Sequence, residues 1–391
     1  MSRIAEIQEI LRKLGIPGWL FYDHHRRDPL AYRILQFEPP RTPTRRWFYF
    51  IPAQGEPQAL VHRIEPGMLD ALPGNKRLYA SWESLAGALA VMLEGVESVA
   101  MQHSPHCAIP YVALVDGGTV ELVQSVGPRV VTSADLVQYF EARWSEQQRQ
   151  SHFEAGVRVD AIRRAAFQRI SDAHRRGEIP NEFQIQQFIR QAVAQNGMVI
   201  DDHGPIVAVN ANASNPHYDP TAKDHAEIRP GDLVLIDLWA KLEAPNSVFY
   251  DITWVGYCGP NPPEKMLQIF DVVIGARNAA IQAVKDAVAS QTPLAGYQVD
   301  DVCRGFIQAR GWGEYFIHRT GHSIGTEVHG TGANMDNLES HDTRQIIPGL
   351  CFSIEPGIYL PEFGIRSEVN VYVGEREAVV TGEVQEKLLL L

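Results

Sequence analysis

The chain opens on a helical rhythm. In MSRIAEIQEILRKLG, the residues Ile4, Ile7, Ile10, Leu11 and Leu14 recur at three- and four-residue steps and share one face of an amphipathic helix. The period then shortens. GWLFYD, RWFYFIP and QALVHRI are short β-rich runs separated by polar and Pro-containing stretches, and a helical pattern returns near residues 83–94. Together these predict a smaller α/β domain over residues 1–145, with no chemical cluster of its own.

A seam follows near residue 145. In RWSEQQRQ, Ser145 is placed as an N-cap with Gln148 three residues on, the pattern of a capping box, and a long helical segment runs from there to Gly177. In PNEFQIQQFIRQAVAQNG, Asn181 caps, Gln184 closes a second box and Asn196-Gly197 ends the helix. From about residue 200 strands and turns dominate, with two further helices near 262–288 and 297–310. The second domain is therefore expected over 146–391, and the whole is of the α+β class.

One internal echo carries more than any single motif. PGDLVLID (230–237) and PGLCFSIE (348–355) align without a gap, and each closes on a carboxylate seven residues after the proline. Asp237 ends an apolar strand, where an unpaired charge is costly, so a cation or a hydrogen-bond network is expected beside it. The next β-type run, SVFYDITWVGY, carries Asp251, and KLEAPNS between them has turn chemistry. A hairpin folded about residue 244 brings the two aspartates opposite each other on one face. The second half repeats the device: CFSIEPGIY carries Glu355 and GIRSEVNVYV carries Glu368.

Four acids on two hairpins repel one another unless cations neutralise them. FIHRTGHSIGTEVHG (316–330) supplies three histidines among glycines: His318, His322 and His329. Oxygen ligands with one imidazole favour Mn, Mg, Fe or Co over a thiolate-type zinc site, and the ligand count suits two metals about 3.5–4 Å apart. Taken singly, each acid reads as an ordinary strand-end charge; it is the set that argues for metal. DDHG (201–204) leads into a strand and is assigned no ligand.

Composition narrows the setting. The 391 residues are 45% hydrophobic, enough for two cores. The net charge of −12 and the lack of a basic stripe argue against nucleic acid; HHRR (24–27) and PRTPTRRW (40–47) read as solvated loops. Cys107, Cys258, Cys303 and Cys351 are far apart with no CxxC pair, which fits a reducing cytoplasm. Neither a signal-peptide pattern nor an apolar run of about 20 residues occurs, so a cytoplasmic protein with no membrane partner is expected.

With these residues in place, NPHY, LIDLW, YDIT, RTGHSIG, SIEPGIY and RSE stand in the order seen in the pita-bread metallopeptidases, which the chain resembles over about 150–391. These are the M24 enzymes: Xaa-Pro aminopeptidases, prolidases and, more distantly, methionine aminopeptidases. The first 145 residues look like a creatinase/prolidase-type N-terminal domain. The resemblance implies that Asp237 binds one metal, that Asp251 and Glu368 bridge both, and that His322 and Glu355 bind the other. His217 in NPHY and His329 match substrate-contacting histidines. His318 matches no role and reads as structural. The implied cofactors are two divalent ions, Mn first, with Co, Fe or Zn as alternatives; the implied partners are a short proline-containing peptide and a second copy of the chain. In such a dimer His24 or His25 could reach substrate, though a solvated loop is the better reading.

The expected function is then hydrolysis of the Xaa-Pro bond of dipeptides or short peptides by a metal-bridging hydroxide. Glu355 takes the proton, and His217 or His329 helps stabilise the oxyanion. Arg366, two residues before Glu368, either holds that carboxylate or pairs with the substrate's C-terminus. Thr253 is a further supporting residue. Several departures bear on substrate. The two aspartates are fourteen apart, about three more than the family pattern. Trp239 stands where Gly is typical and is expected to narrow the pocket or to pack the hairpin; Ser323 replaces a common Gly, and Gly330 a frequent Glu. The alternative is a non-peptidase enzyme on the same fold, a small-amide hydrolase or a metal-dependent lyase. A metal-free creatinase-like enzyme and a non-catalytic binding protein fit less well, since both typically lack ligands that are present here.

Overall fold

The computed structural model describes residues 2–201 and 203–391; Asp202, in the DDHG stretch, lies outside the described residues. The chain forms two compact units, Met1–Glu141 and Ala142–Leu391.

The first unit is built on a six-stranded mixed sheet, in the order 75–79, 58–62, 47–52, 18–23, 98–101 and 129–132. Its central strands are buried on both faces, which is why they read as continuous apolar runs instead of alternating ones. Trp19, Phe21, Trp47, Tyr49 and Ile51 fill one side; Leu20, Tyr22, Phe48 and Phe50 fill the other. The opening helix spans Arg3–Lys13 and buries Ile7, Ile10 and Leu11. Leu14 is 45% exposed, because the helix ends before it and the expected apolar face stops one turn short.

The second unit begins where the capping boxes lie. Ser145 and Gln148 exchange their bonds at the head of Glu146–Arg175, and Asn181 and Gln184 do so at the head of Glu182–Gln195. Both helices cover one face of a sheet whose main strands are Ile206–Val209, Leu233–Leu242 and Tyr250–Tyr257. Val234, Ile236, Leu238, Tyr250, Ile252 and Trp254 point to that covered face. Alternation sends Leu233, Leu235, Asp237, Trp239, Asp251, Thr253 and Val255 to the other face. There the helices Glu264–Ser290 and Gly296–Gln308 share a core with the strands Cys351–Ile354, Gly357–Tyr359, Gly364–Arg366 and Val369–Val373.

The internal echo is realised bond for bond. Gly231 and Gly349 follow their prolines at φ of +96° and +93°, a region that favours glycine. Gly231 N–H donates to Cys258 O (2.6 Å), and Cys258 N–H returns a bond to Asp232 O (2.8 Å). Gly349 N–H donates to Val373 O (2.7 Å), and Val373 N–H returns one to Leu350 O (2.8 Å). Each Pro-Gly turn thus closes the base of a hairpin and sets the register of the strand that carries an acid. Glu355 follows directly on Cys351–Ile354, whereas Asp237, expected at a strand end, lies in the middle of Leu233–Leu242 because the ladder with Tyr250–Tyr257 continues past it.

Because nothing lies within 4 Å of a Cβ at Gly231, Gly231→Ala tests backbone strain alone. It is expected to lower unfolding stability by about 1–3 kcal/mol in denaturant titration. Gly305→Ala, at an exposed helical position that is equally open, is expected to be neutral or stabilising by up to about 1 kcal/mol. Equal effects at the two positions would exclude the turn constraint.

Candidate metal centre

The first hairpin forms, but two residues out of the expected register. Asp237 lies across from Thr253, and Asp251 from Trp239, so the strands fold about residue 245. The two aspartates are diagonal neighbours on one face, not direct partners. The second hairpin pairs Ile354 with Val369 and Gly357 with Arg366. Glu355 and Glu368 fall between these two ladder segments at facing positions. Their backbones turn outward: Glu355 N–H donates to Thr320 O (2.7 Å) and Glu368 N–H to Thr253 O (3.1 Å). The break in the ladder frees the two acids to point away from their own hairpin.

Asn370 clamps the halves together. Its Oδ1 accepts from Asp251 N–H (2.9 Å) and its Nδ2 donates to Asp251 O (2.5 Å). Ser353 ties in the histidine stretch: it exchanges backbone and side-chain bonds with His322 (2.8 and 2.9 Å), and its hydroxyl donates to Glu355 Oε1 (3.1 Å). At Gly321 a Cβ would stand 1.9 Å from Ser353 O, so the RTGHSIG segment can approach this strand only with glycine there.

Asp237, Asp251, His322 and Glu368 are all buried, and Glu355 nearly so. A ligand atom from each of Asp251, His322 and Glu368 lies within 4.8 Å of the other two. His322 Nε2 is 3.5 Å from Asp251 Oδ2 and 3.4 Å from Glu355 Oε1. Its Nδ1 faces Ser323 O at 3.2 Å. With the proton on Nδ1, the Nε2 lone pair faces the acids, as a ligand's would. Asp237 joins through Arg366. Arg366 is 3% exposed and engages every nitrogen inside the protein: Nη2 donates to Asp237 Oδ2 (2.5 Å), Nη1 to Tyr359 OH (3.0 Å) and Nε to Thr253 Oγ1 (3.1 Å). The Thr253 hydroxyl donates in turn to Glu368 Oε2 (2.8 Å). Arg366 therefore holds Asp237 directly and reaches Glu368 only through Thr253, the reverse of the emphasis that its sequence position suggested.

Three carboxylate oxygens are left over. Among the described residues, Asp237 Oδ1, Asp251 Oδ1 and Glu368 Oε1 are buried without a hydrogen-bond partner. Acceptor-only atoms stranded in this way are costly, and divalent cations are the groups that satisfy several at once. The donor set of four carboxylates and one imidazole fits such ions, with Arg366 as the only guanidinium that reaches these acids directly among the described contacts.

The electrostatics agree. Burial pushes Asp237 up to about 6 against the pull of Arg366, and Asp251 up to about 7. Burial likewise raises Glu355, and burial with the nearby Asp251 holds Glu368 well above the usual carboxylate range. Burial lowers His322. His329 stacks edge-on against His322 with ring centroids 4.4 Å apart and is pushed down to about 3, first by His322 and then by burial. His217 is exposed and lies close enough to lower His329 further. His318 bonds Arg319 O through Nδ1 (2.7 Å) and Tyr359 OH through Nε2 (2.7 Å), which gives it a fixed place behind Arg366. Trp239 is half-buried on the ligand face; its Nε1–H donates to Asp201 Oδ1 (2.8 Å) and its ring lies against Gly204.

Sequence reasoning missed Tyr359 and Asn370. Asn370 had a signal, a lone polar residue facing inward on an apolar strand, whereas Tyr359 had none.

The fold and this carboxylate–imidazole face define a class, the pita-bread hydrolase architecture. The model of metallopeptidase family M24 matches residues 151–375, more than half of the chain, which belongs to that family. The chain is 35% identical over 204 residues to a Xaa-Pro dipeptidase of Lactobacillus delbrueckii subsp. lactis, a match that covers 52% of this chain and 50% of the relative. The chain spans about half the length of the curated relatives it matches. Among solved structures, dipeptidase PepE of Mycobacterium ulcerans superposes with a TM-score of 0.69 at 22% identity, covering 99% of this chain and 96% of that one. A recombinant prolidase of Thermococcus sibiricus gives 0.63 at 24%, covering 100% and 98%. The expected α+β architecture, a smaller α/β domain followed in sequence by a pita-bread domain, is the observed one.

A pH signature follows. In the unfolded chain aspartates lose their protons near pH 4, whereas folded Asp237 and Asp251 hold theirs to about 6 and about 7. Between these values the folded state binds more protons, so stability of the chelated protein is expected to fall as pH rises from about 4 to 7. Mn(II) displaces those protons and binds more tightly at pH 8 than at pH 5. At a hundredfold excess over Kd it adds about 2.7 kcal/mol at pH 8. A melting temperature at pH 8 that does not respond to Mn(II) would rule out the cation reading.

Proposed function

We propose that the protein is a dinuclear metal-dependent peptidase that cleaves the Xaa-Pro bond of dipeptides or short peptides in the cytoplasm, as a homodimer. The observation that carries this reading is the convergence of three unpartnered, buried carboxylate oxygens beside His322. Asp237, Asp251, His322, Glu355 and Glu368 would together hold the two ions, with Mn the favoured metal. Bound there, a pair of divalent cations supplies an activated water near neutral pH and polarises the scissile carbonyl.

The chain's own residues do the rest. Glu355 Oε1 accepts the proton of the attacking water and passes it to the leaving nitrogen, a role suited to a carboxyl whose proton affinity burial has raised. His217 and His329 stand at the solvent side and donate to the developing oxyanion. Arg366 meets no substrate in this scheme; it fixes Asp237, and through Thr253 it orients Glu368. Trp239, anchored by Asp201, borders the substrate pocket and limits its width.

A second reading, a small-amide hydrolase or metal-dependent lyase, draws on one observation: Trp239 lies directly across from Asp251, so the indole takes space next to a bridging ligand.

The test is turnover by Mn-loaded protein of Ala-Pro, a longer Xaa-Pro peptide, creatine and a dipeptide lacking proline. Proline release from Ala-Pro alone means a dipeptidase; cleavage of the longer peptide means an aminopeptidase. If no proline substrate is turned over, the peptidase reading fails. Asp251→Ala is expected to lose most bound Mn. His329→Ala is expected to keep it and to lose about 10²-fold in kcat/KM on Ala-Pro; loss of metal instead would make His329 a ligand.

A further inference from the structure

His217 sits in a stretch with little structure of its own. Residues 215–226 belong to no helix or strand. A segment of this kind must have its polar groups satisfied, and its position set, from outside.

The outside partner is Glu182. It is the first residue of the helix Glu182–Gln195, 0% exposed, and remote in sequence from every acid of the metal centre. Its Oε1 accepts from Val209 N–H (2.7 Å) and Asn212 Nδ2 (3.0 Å). Its Oε2 accepts from the Tyr218 hydroxyl (2.7 Å) and Ala226 N–H (2.6 Å). All four partners are donors, so the carboxyl acts purely as an acceptor, and its bonds fall before, beside and after His217. One helical turn on, on the same helix face, buried Gln186 donates through Nε2 to Pro205 O (3.0 Å) and Asp219 Oδ1 (2.7 Å). His217 N–H is capped by Asn215 Oδ1 (3.1 Å). Across the loop, the Ser214 hydroxyl donates to Leu360 O, and Gly364 packs against Ala213 O, which fastens the same segment to the hairpin of Glu355.

We propose that Glu182 is the positioning residue for His217: by gathering Val209, Asn212, Tyr218 and Ala226 onto one buried carboxyl, it sets where that imidazole stands relative to the metal centre. The proposal rests on the substrate-contacting role given to His217 above. Four donors on a single acceptor group leave the loop few alternative placements, and charge-assisted bonds to buried donors are the strong ones. Displacing a catalytic group by about 1 Å costs on the order of 10²-fold in rate.

The test combines kinetics with hydrogen exchange on Mn-loaded full-length protein. Glu182→Gln turns an amide donor onto donors. Peptides spanning 209–226 are expected to exchange about tenfold faster, while peptides spanning 351–373 are unchanged. On Ala-Pro, kcat/KM is expected to fall about 10²-fold, close to the loss in His217→Ala. The double variant is expected to lie within about threefold of the lower single one, since both act through the same imidazole. Should Glu182→Gln fail to fold, Tyr218→Phe removes only the tether next to His217 and is expected to give about a tenfold loss that vanishes in the His217→Ala background. Losses that multiply in the double variant, or an exchange pattern unchanged over 209–226, overturn the proposal. If His217→Ala alone leaves turnover intact, the catalytic part of the reading above fails, while the exchange result still decides whether Glu182 holds the loop.

Discussion

Burying like charges together is the constraint on which the second unit is organised. Among the described residues, four carboxylates share one pocket with a single guanidinium and a single ligand-facing imidazole, and three of their oxygens have no hydrogen-bond partner. Burial raises the proton affinity of the acids, and the bonds from Arg366, Thr253 and Ser353 still leave those three oxygens unmet among the described residues. The hairpins, the clamping asparagine and the guanidinium braced by Tyr359 and Thr253 all serve to hold the acids where they repel one another. Divalent ions of the right charge and hardness would satisfy several of these oxygens at once.

The duplication supplies the holding force economically. Each half contributes a Pro-Gly turn, a first acid seven residues after the proline and a second acid on the returning limb. The halves differ where they need to. The first hairpin is a continuous ladder whose two acids lie diagonally on one face. The second breaks its ladder at Glu355 and Glu368: Glu355 gives its backbone N–H to Thr320 in the histidine stretch, and Glu368 gives its own to Thr253 on the first hairpin. Cross-bonding between the hairpins then makes the centre one object instead of two adjoining ones.

Much of this was legible in the sequence. Capping boxes at Ser145 and Asn181 and the Pro-Gly echo depend on near neighbours, and they appear where residue chemistry expected them. Register was less legible: the turn between Leu242 and Tyr250 took up two more residues than its composition suggested, which moved Asp251 from opposite Asp237 to opposite Trp239. Least legible were bonds over long separations. Arg366 lies next to Glu368 in sequence but grips Asp237, 129 residues away, and Glu182 reaches Ala226 across 44. No local pattern encodes such a pairing; it follows only when two elements are packed.

The contact between Trp239 and Gly204 has a consequence for how this scaffold changes. A single methyl group at residue 204 would stand 2.2 Å from the indole Cη2, so the ring would have to swing or the loop give way. Residue 204 carries no ionisable or nucleophilic group, yet it sets how far the indole can retreat from the acids. A side chain at residue 204 would therefore press on a ring that stands across the ladder from Asp251, from a position that contributes no ligand itself.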